Sequence, residues 1–271
     1  IPLMKSLGYR PEFAAAVEAA ASTGGQIMPP IMGAAAFLIS EIVGVSYIEV
    51  VKAAAIPAVL YFSGIWIMVH LEAKKLGLRG LPKDQVPHAG ELLRKEGHLI
   101  LPLIAIMVFL IMGFTTTRAA LWGILTAIIV PYLRKSTRIQ VADIASALTA
   151  GARNILGVSC ACSTAGVIVG VVTMTGIGLK LGEGLTTLTS GMLIPTLFFT
   201  MITSLVLGMG VPTTANYLIT ATIAAPIVVR LGIPVLAAHL FSFYFGILSD
   251  VTPPVALAAY AGSAIAKSNP F

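Results

Sequence analysis

Long apolar runs separated by short polar stretches occupy most of this 271-residue chain. A helix needs about 20 consecutive, mostly apolar residues to cross the hydrocarbon core of a bilayer. The runs that meet or approach this length are Val50–His70, Leu99–Phe114, Ala119–Leu133, Asn154–Ile177 and Leu185–Leu207. The pattern predicts an all-α integral membrane protein.

Two other apolar segments are interrupted near the middle. Phe13–Gly44 contains Pro29-Pro30, and Pro234–Ala266 contains Pro253-Pro254, each pair preceded by a short polar stretch. Because proline lacks a backbone N–H and its ring clashes with the preceding helical turn, a Pro-Pro pair cannot lie inside a continuous helix. We predict that each segment forms two half-helices joined by an extended stretch at membrane depth.

The two broken segments belong to a longer internal repeat. Pro2–Ala35 aligns without a gap with Pro226–Ala259, and this alignment places one Pro-Pro pair on the other. A long-range repeat centred on a proline-interrupted apolar segment is typical of the binding site of a secondary transporter.

A helical hairpin is predicted between these segments. Its arms, Leu185–Leu207 and Thr213–Val229, flank the compact turn Gly208–Pro212. A single helix over both arms, at about 1.5 Å per residue, would far exceed a membrane core about 30 Å thick. We therefore expect the chain to enter and leave the membrane on one side here.

Composition supports the membrane prediction. Hydrophobic residues make up 57% of the chain and charged residues 10%, whereas a soluble domain carries about 25% charged residues. Such a chain cannot cover a water-facing surface, so we expect a lipid bilayer around it. Its net charge of +6 bears on topology, and we expect no nucleic-acid partner.

The positive charges predict the orientation of the spans. Most of the 17 Lys and Arg residues fall in two polar loops, within Lys74–Lys95 and Arg134–Arg153. Loops rich in Lys and Arg face the cytoplasm. The same count leaves four on the opposite side, namely Lys52, Arg118, Lys180 and Arg230. An odd number of crossings then separates the repeats, which predicts that they are inverted.

These elements divide the chain into seven segments. In order, they are the end of the first repeat with its broken helix (1–46), a transmembrane helix (47–76), a cytoplasmic interfacial arm (77–97), scaffold helices with a second cytoplasmic arm (98–153), the transmembrane helix that opens the second repeat (154–184), the helical hairpin (185–231) and the second broken helix (232–271). Because the chain opens abruptly at Ile1-Pro2, we expect it to be a C-terminal fragment.

Polar residues at the helix breaks are the candidates for ligand binding. Half-helix C-termini and unwound carbonyls suit Na⁺, whereas half-helix N-termini suit a carboxylate. Hard oxygen donors without a Cys/His cluster favour an alkali or other hard cation over a transition metal. The ion-binding candidates are Ser22, Thr23, Gly24, Gly208, Gly210, Ser249, Asp250 and Thr252. The substrate-binding candidates are Gly25, Gln26, Thr213, Thr214 and Asn216.

Some of these polar residues also have other interpretations. An ionisable group deep in a membrane is a functional hypothesis by default, although Asp250 could instead pair with a backbone amide. We expect Glu18 and His239 to be packed polar residues rather than ligands. The chain has no H-E-x-x-H or G-x-S-x-G motif, so we expect no enzyme activity. A purely structural subunit would have no reason to repeat helix breaks lined by oxygen atoms.

The strings at the helix breaks are similar to those of a known transporter family. They are Glu18–Gly33, Gly208–Tyr217 and Ser249–Val255. Through them the chain resembles the large membrane subunit of tripartite ATP-independent periplasmic (TRAP) transporters, especially the long permease in which small and large membrane subunits are fused. The resemblance covers essentially the whole chain. It implies an ion-transporter-superfamily fold, with an inverted repeat, helical hairpins, broken transmembrane helices and an elevator motion.

The same resemblance implies a function. A multi-pass protein of the bacterial inner membrane would import a carboxylate with Na⁺ as coupling ion and no other cofactor. A periplasmic binding protein would deliver the substrate, and the small membrane subunit or its fused equivalent would be a partner. One Na⁺ site would involve Thr23–Pro29, and a second would involve Gly208–Asn216 with Ser249–Pro253. The substrate would lie between the hairpin tips, although the first hairpin and the final helix of a complete permease are absent from this sequence.

Two alternatives within transport stay open. One is a dicarboxylate/cation symporter that works without a binding protein, and the other is a cation/proton antiporter of the same superfamily.

Overall fold

The computed structural model describes residues 1–29, 32–78, 89–134 and 137–269. All regular elements in these ranges are helices, so the all-α prediction is confirmed for the described chain. They are α1 (Pro2–Ser6), α2 (Pro11–Gly24), α3 (Gly33–Val43), α4 (Tyr47–Lys75), α5 (Ala89–Glu96), α6 (Leu101–Ile111), α7 (Thr116–Ile129), α8 (Val141–Thr175), α9 (Ile177–Leu188), α10 (Leu193–Gly208), α11 (Thr213–Ile223), α12 (Ala225–Arg230), α13 (Val235–Leu248) and α14 (Leu257–Ala266).

The chain forms two compact units. The first comprises Ile1–Val45, Glu49–Arg79 and Val158–Phe271, and the second comprises Ser46–Ile48 and Gly80–Gly157. Both broken segments and the hairpin fall in the first unit, which therefore contains all the candidate site residues.

Three elements of the described chain are long and apolar enough to cross a membrane. They are α4, α7 with the 3₁₀ turn that extends it to Leu133, and α8. Large apolar side chains on α4 and α8, such as Ile56, Trp66 and Met174, are exposed. Such surfaces are stable against lipid and unstable against water. The chain is therefore an α-helical membrane protein.

Both Pro-Pro segments are broken helices, as proline chemistry predicts. The first is divided into α2 and α3, and the second into α13 and α14. The second break contains the 3₁₀ turn Ser249–Val251 before its proline pair. Pro30 and Ile31 of the first break lie outside the described residues.

The backbones of the two segments agree position by position. The left-handed residues Gly8 (φ 99°) and Gly232 (φ 83°) correspond, as do Met32 (φ 46°) and Ala256 (φ 41°). In each break the left-handed residue donates its amide to the carbonyl four residues earlier, over 3.2 Å in both cases. The sequence repeat is therefore also a repeat of backbone conformation.

Each half of one broken helix packs against a half of the other. α2 packs along α14, and α3 contacts α13. In the repeat, α2 corresponds to α13 and α3 corresponds to α14, so the two contacts are equivalent. The α2–α14 contact is close, because a Cβ added at Gly262 would lie 3.1 Å from the carbonyl oxygen of Ala15.

The predicted span Leu185–Leu207 was wrong, since the chain forms two helices there, α9 and α10. The turn between them contains two left-handed residues, Ser190 (φ 52°) and Gly191 (φ 70°). The hydroxyls of Thr189 and Thr196 lie 2.6 Å apart and bridge the turn by a hydrogen bond. The first hairpin arm is therefore α10 alone.

The second hairpin arm also consists of two helices, α11 and α12. Pro226 supplies no N–H for the carbonyl four residues earlier, and the helix is interrupted at Ala224. α11 packs against α8 through Ala165, Ala215, Ile219 and Ile223, which form a buried apolar cluster.

The predicted span Asn154–Ile177 was too short at its start, because α8 begins at Val141. The carboxylate of Asp143 accepts the amide of Gln140 over 2.8 Å. This contact satisfies a free N–H at the helix start, and it lets the helix extend beyond its apolar part.

The second unit contains the described part of the predicted interfacial arm, α5, whereas residues 79–88 of that arm lie outside the described residues. A 3₁₀ turn, Gly97–Ile100, leads from α5 into α6. Within this unit His98 Nε2 lies 3.0 Å from Thr137 Oγ1, and the Arg134 guanidinium donates to the carbonyl of Lys95 over 2.8 Å. These contacts join the polar segments that flank α6 and α7.

The α2–α14 contact generates a stability prediction. Gly262→Val should place methyl groups against the Ala15 backbone, and overpacking of this kind costs about 1–3 kcal/mol. Gly64→Val is the matched control, because no atom lies within 4 Å of a Cβ at Gly64 in α4. We expect a lower thermal midpoint in detergent for Gly262→Val than for Gly64→Val. Equal midpoints would contradict the close packing.

Candidate functional site

The hairpin tip is a tight reversal between α10 and α11. α10 ends at Gly208, and α11 begins at Thr213 with Pro212 as its N-cap. Gly210 has φ +71°, a backbone conformation that glycine adopts without steric cost. The reversal exposes the last carbonyls of α10 and the first amides of α11 at one place.

The C-terminal ends of α10 and α13 meet beside this tip. A Cβ added at Gly208 would collide with the carbonyl oxygen of Gly246 and would lie 2.7 Å from Ser249 Oγ. A Cβ added at Gly246 would lie 2.6 Å from the side-chain oxygen of Asn216. No side chain fits at either glycine, so the carbonyl ends of two helices approach one amide side chain.

Asn216 is the most unusual residue of this cluster. It is 1% exposed, and neither its amide nitrogen nor its amide oxygen has a hydrogen-bond partner. Leaving a buried polar group unpaired costs about 1–3 kcal/mol. Ser249, which is also buried, instead donates its hydroxyl to the carbonyl of Gly246 over 2.6 Å. The side-chain oxygen of Asn216 is therefore available to a ligand.

A cavity of about 390 Å³ adjoins the tip. Its lining is drawn from the hairpin tip, the second break and the start of α14, namely Gly210, Val211, Pro212, Thr213, Asp250, Leu257 and Ala258. The first residues of α11 and α14 line it together, and helix N-termini carry free N–H groups and a partial positive charge. Asp250 is the only charged side chain in this lining. The cavity therefore combines anion-binding backbone with one carboxylate.

The first break reaches the hairpin tip through one hydrogen bond. Thr213 Oγ1 donates to Gln26 Oε1 over 2.6 Å, between residues far apart in the sequence. Gln26 occupies the position in the first segment that Asp250 occupies in the second. Residues predicted from both breaks and from the tip therefore lie together.

Other predicted residues lie elsewhere or use their polar groups locally. Thr23 and Gly24 line a separate apolar cavity of about 210 Å³, and the Tyr61 ring occupies the space where a Gly24 side chain would lie. Ser22 and Gly25 are exposed, and Thr214 is half-buried. Thr252 donates its hydroxyl to the carbonyl of Leu248 over 2.7 Å.

Sequence reasoning missed Gly246 and the role of its neighbours. In the repeat, Gly246 aligns with Ser22, so a comparison of the two breaks could have singled it out. Gly246 was not identified from the sequence, because a glycine in a helix rich in aromatic residues has no polar side chain to mark it. Asn216 was predicted for substrate, yet it lies among Gly208 and Ser249, which were predicted for the ion.

Within the described part of the chain, no group of three or more His, Cys, Asp or Glu side chains gathers as a metal site. The ligands that the tip presents are amide, carbonyl and hydroxyl oxygens together with one carboxylate. Hard cations prefer such oxygen donors.

In a comparison with protein families, the family described as "Tripartite ATP-independent periplasmic transporter, DctM component" matches residues 1–271. A search of curated proteins found no match.

The Thr213–Gln26 contact generates a coupling prediction. Thr213→Val keeps the side-chain shape and removes the donor, and Gln26→Leu removes the acceptor. Since a net hydrogen bond contributes about 0.5–1.5 kcal/mol, we expect each single change to lower stability and the double variant to lose less than their sum. Thermal unfolding of the purified protein measures this. Thr214→Val is the control, and additive effects would contradict a direct bond.

Proposed function

Because the chain belongs to the DctM family of TRAP transporters, and is therefore part of a membrane permease, we propose that it imports an organic acid driven by Na⁺. The carrying observation is the buried Asn216 amide, which has no hydrogen-bond partner between the carbonyl ends of two helices. The substrate class, the ion and the delivery route are the proposed elements.

We assign the coupling ion to the cluster of Gly208, Asn216, Gly246 and Ser249. The cluster supports this assignment in three ways. Its members offer oxygen atoms, it excludes side chains at both glycines, and it lies at helix C-termini, whose partial negative charge attracts cations. A bound Na⁺ would offset the cost of burying the unpaired Asn216 oxygen.

We assign the carboxylate of the substrate to the adjacent 390 Å³ cavity. The N-termini of α11 and α14 support this, because free N–H groups and a positive dipole end bind anions. Thr213 lines this cavity and also forms a hydrogen bond with Gln26. The first break would therefore hold Thr213 in place beside the substrate.

The coupling follows from charge. A carboxylate substrate in this cavity would face the carboxylate of Asp250, and two like charges in one site repel. A Na⁺ ion in the adjacent cluster would offset part of this repulsion, so Na⁺ would favour binding of substrate and substrate would favour Na⁺ by the same factor. Ion and substrate would both stabilise one conformation of the hairpin tip.

The motion and the surroundings are proposed from the family and the fold. The matched backbone of the two broken segments, and their exchanged packing, support an inverted repeat that moves as one body in an elevator transition. A periplasmic binding protein would deliver the substrate, and the small membrane subunit or its fused equivalent would hold the scaffold in the bacterial inner membrane as a multi-pass assembly.

The decisive experiment is uptake by the full-length permease in proteoliposomes with its binding protein and a panel of labelled organic acids. Parallel runs use a Na⁺ gradient, a K⁺ gradient and a proton gradient alone. Uptake that requires both Na⁺ and the binding protein would support the proposal and identify the substrate. Absence of uptake of every acid under every gradient would refute it.

Asp250 supports a second candidate, because a single carboxylate in a membrane cavity can also carry a proton. The protein would then be a cation/proton antiporter or a symporter independent of a binding protein. Asp250→Asn separates these functions. Under Na⁺ symport it should reduce the Na⁺ dependence of uptake, whereas under proton exchange it should abolish all proton-driven flux. Uptake that continues without the binding protein would favour the second candidate.

Asn216→Ala tests the ion site. Loss of one oxygen ligand should raise the half-saturating Na⁺ concentration about ten- to a hundredfold, which corresponds to about 1–3 kcal/mol. The half-saturating substrate concentration at saturating Na⁺ should change much less. Asn154→Ala, an exposed position of α8, is the control. An unchanged Na⁺ dependence in Asn216→Ala would remove the cluster from the proposal.

A further inference from the structure

Tyr217 directly follows Asn216 and anchors the first turns of α11. Its side chain is fully buried. Its ring packs edge to face on Phe243, with centroids 5.8 Å apart, and beside His239, with centroids 6.0 Å apart. Both neighbours belong to α13, the helix whose C-terminal end supplies Gly246 and leads into Ser249.

Within the described part of the chain, the Tyr217 hydroxyl forms a side-chain hydrogen bond between α11 and α13. It lies 2.9 Å from His239 Nδ1, and both residues are buried. Apolar contacts hold the two helices together, and the hydrogen bond adds a directional constraint on the position of α11 along α13.

That position matters because of Asn216. Its side-chain oxygen would lie 2.6 Å from a Cβ at Gly246, and its nitrogen 2.8 Å from a Cβ at Gly208. Because the Asn216 side chain forms no hydrogen bond, it is oriented only by packing and by the register of α11. A small shift of α11 would move the amide oxygen away from the carbonyl ends of α10 and α13.

We propose that the buried Tyr217–His239 hydrogen bond is a positioning device that holds the Asn216 amide oxygen at the distance the coupling ion requires. The inference rests on the proposed function, since it deepens the ion site described there. Tyr217 and His239 do not contact the ion, and they act through Asn216. The sequence predicted that His239 is a packed polar residue. Its hydrogen-bond partner is Tyr217, and the proposal gives this pair a role in positioning Asn216.

The test compares two hydroxyl deletions on the full-length permease. Tyr217→Phe removes the hydrogen bond and keeps the ring. Tyr244→Phe is the matched control, because the buried Tyr244 hydroxyl has no hydrogen-bond partner. We expect Tyr217→Phe to raise the half-saturating Na⁺ concentration about three- to tenfold, the factor expected for one lost hydrogen bond, with the half-saturating substrate concentration at saturating Na⁺ unchanged. Tyr244→Phe should behave as the wild type.

His239 variants extend the test. His239→Leu removes the partner, and the double variant Tyr217→Phe, His239→Leu should need no more Na⁺ than the worse single variant. His239→Asn retains a polar group near the position of Nδ1 and should recover part of the Na⁺ affinity lost in His239→Leu. A merely structural pair would instead lower expression and maximal rate alike and leave the Na⁺ dependence intact.

A second measurement does not depend on Na⁺ coupling. The backbone N–H of Asn216 donates to the carbonyl of Pro212 over 2.9 Å, so hydrogen exchange of the peptide containing Asn216 reports order at the tip. Exchange there should be faster in Tyr217→Phe than in Tyr244→Phe. Equal exchange, or equal Na⁺ dependence, would overturn the inference. If uptake by the wild-type permease did not depend on Na⁺, the proposed function would be refuted. The hydrogen-exchange rates would still show whether the Tyr217–His239 hydrogen bond orders the tip.

Discussion

The close approach of two helix ends is the constraint on which the candidate site depends. Side chains are excluded at Gly208 and Gly246, because each would collide with the opposite helix or with Asn216. Only with both glycines can the carbonyl ends of α10 and α13 lie beside one amide. Helix C-termini repel one another when they meet in a medium of low dielectric constant, so this arrangement favours a cation between them.

Two regions of opposite partial charge meet at the hairpin tip. The carbonyl ends of α10 and α13 lie beside Asn216, and the first residues of α11 and α14 line the cavity that Asp250 also lines. Four residues separate Gly208 from Thr213 along the chain, so the two regions are joined by a short segment. The proposed coupling of ion and substrate would act through this segment.

The internal repeat explains why both breaks reach one place. Backbone hydrogen bonds and left-handed residues recur at corresponding positions of the two segments, while the side chains differ. Gln26 occupies the position that Asp250 has in the second segment. Of these two residues, Gln26 is the one with a side-chain hydrogen bond to the hairpin tip. Two copies of one backbone can thus bring different chemistry to a shared site. The membrane allows this irregular backbone only where protein or a cavity surrounds it.

Taken by itself, the sequence determined the class of structure and the places where the helices break. Apolar run length decides which segments enter a membrane, and proline decides where a helix ends, because both are local properties. The residues at the breaks were found for the same reason. Helix lengths were predicted less accurately, as the turn at Ser190-Gly191 inside a predicted span illustrates.

Tertiary structure alone decided which of these residues meet. Thr213 with Gln26, Asn216 with Gly246, and Tyr217 with His239 are contacts between separate helices. No local pattern encodes them, because they depend on how the helices pack. Packing also places Gly24 beneath a tyrosine ring, and it lets Thr252 donate its hydroxyl to the carbonyl of Leu248. The sequence supplies the polar groups, and the fold selects which of them a ligand can reach.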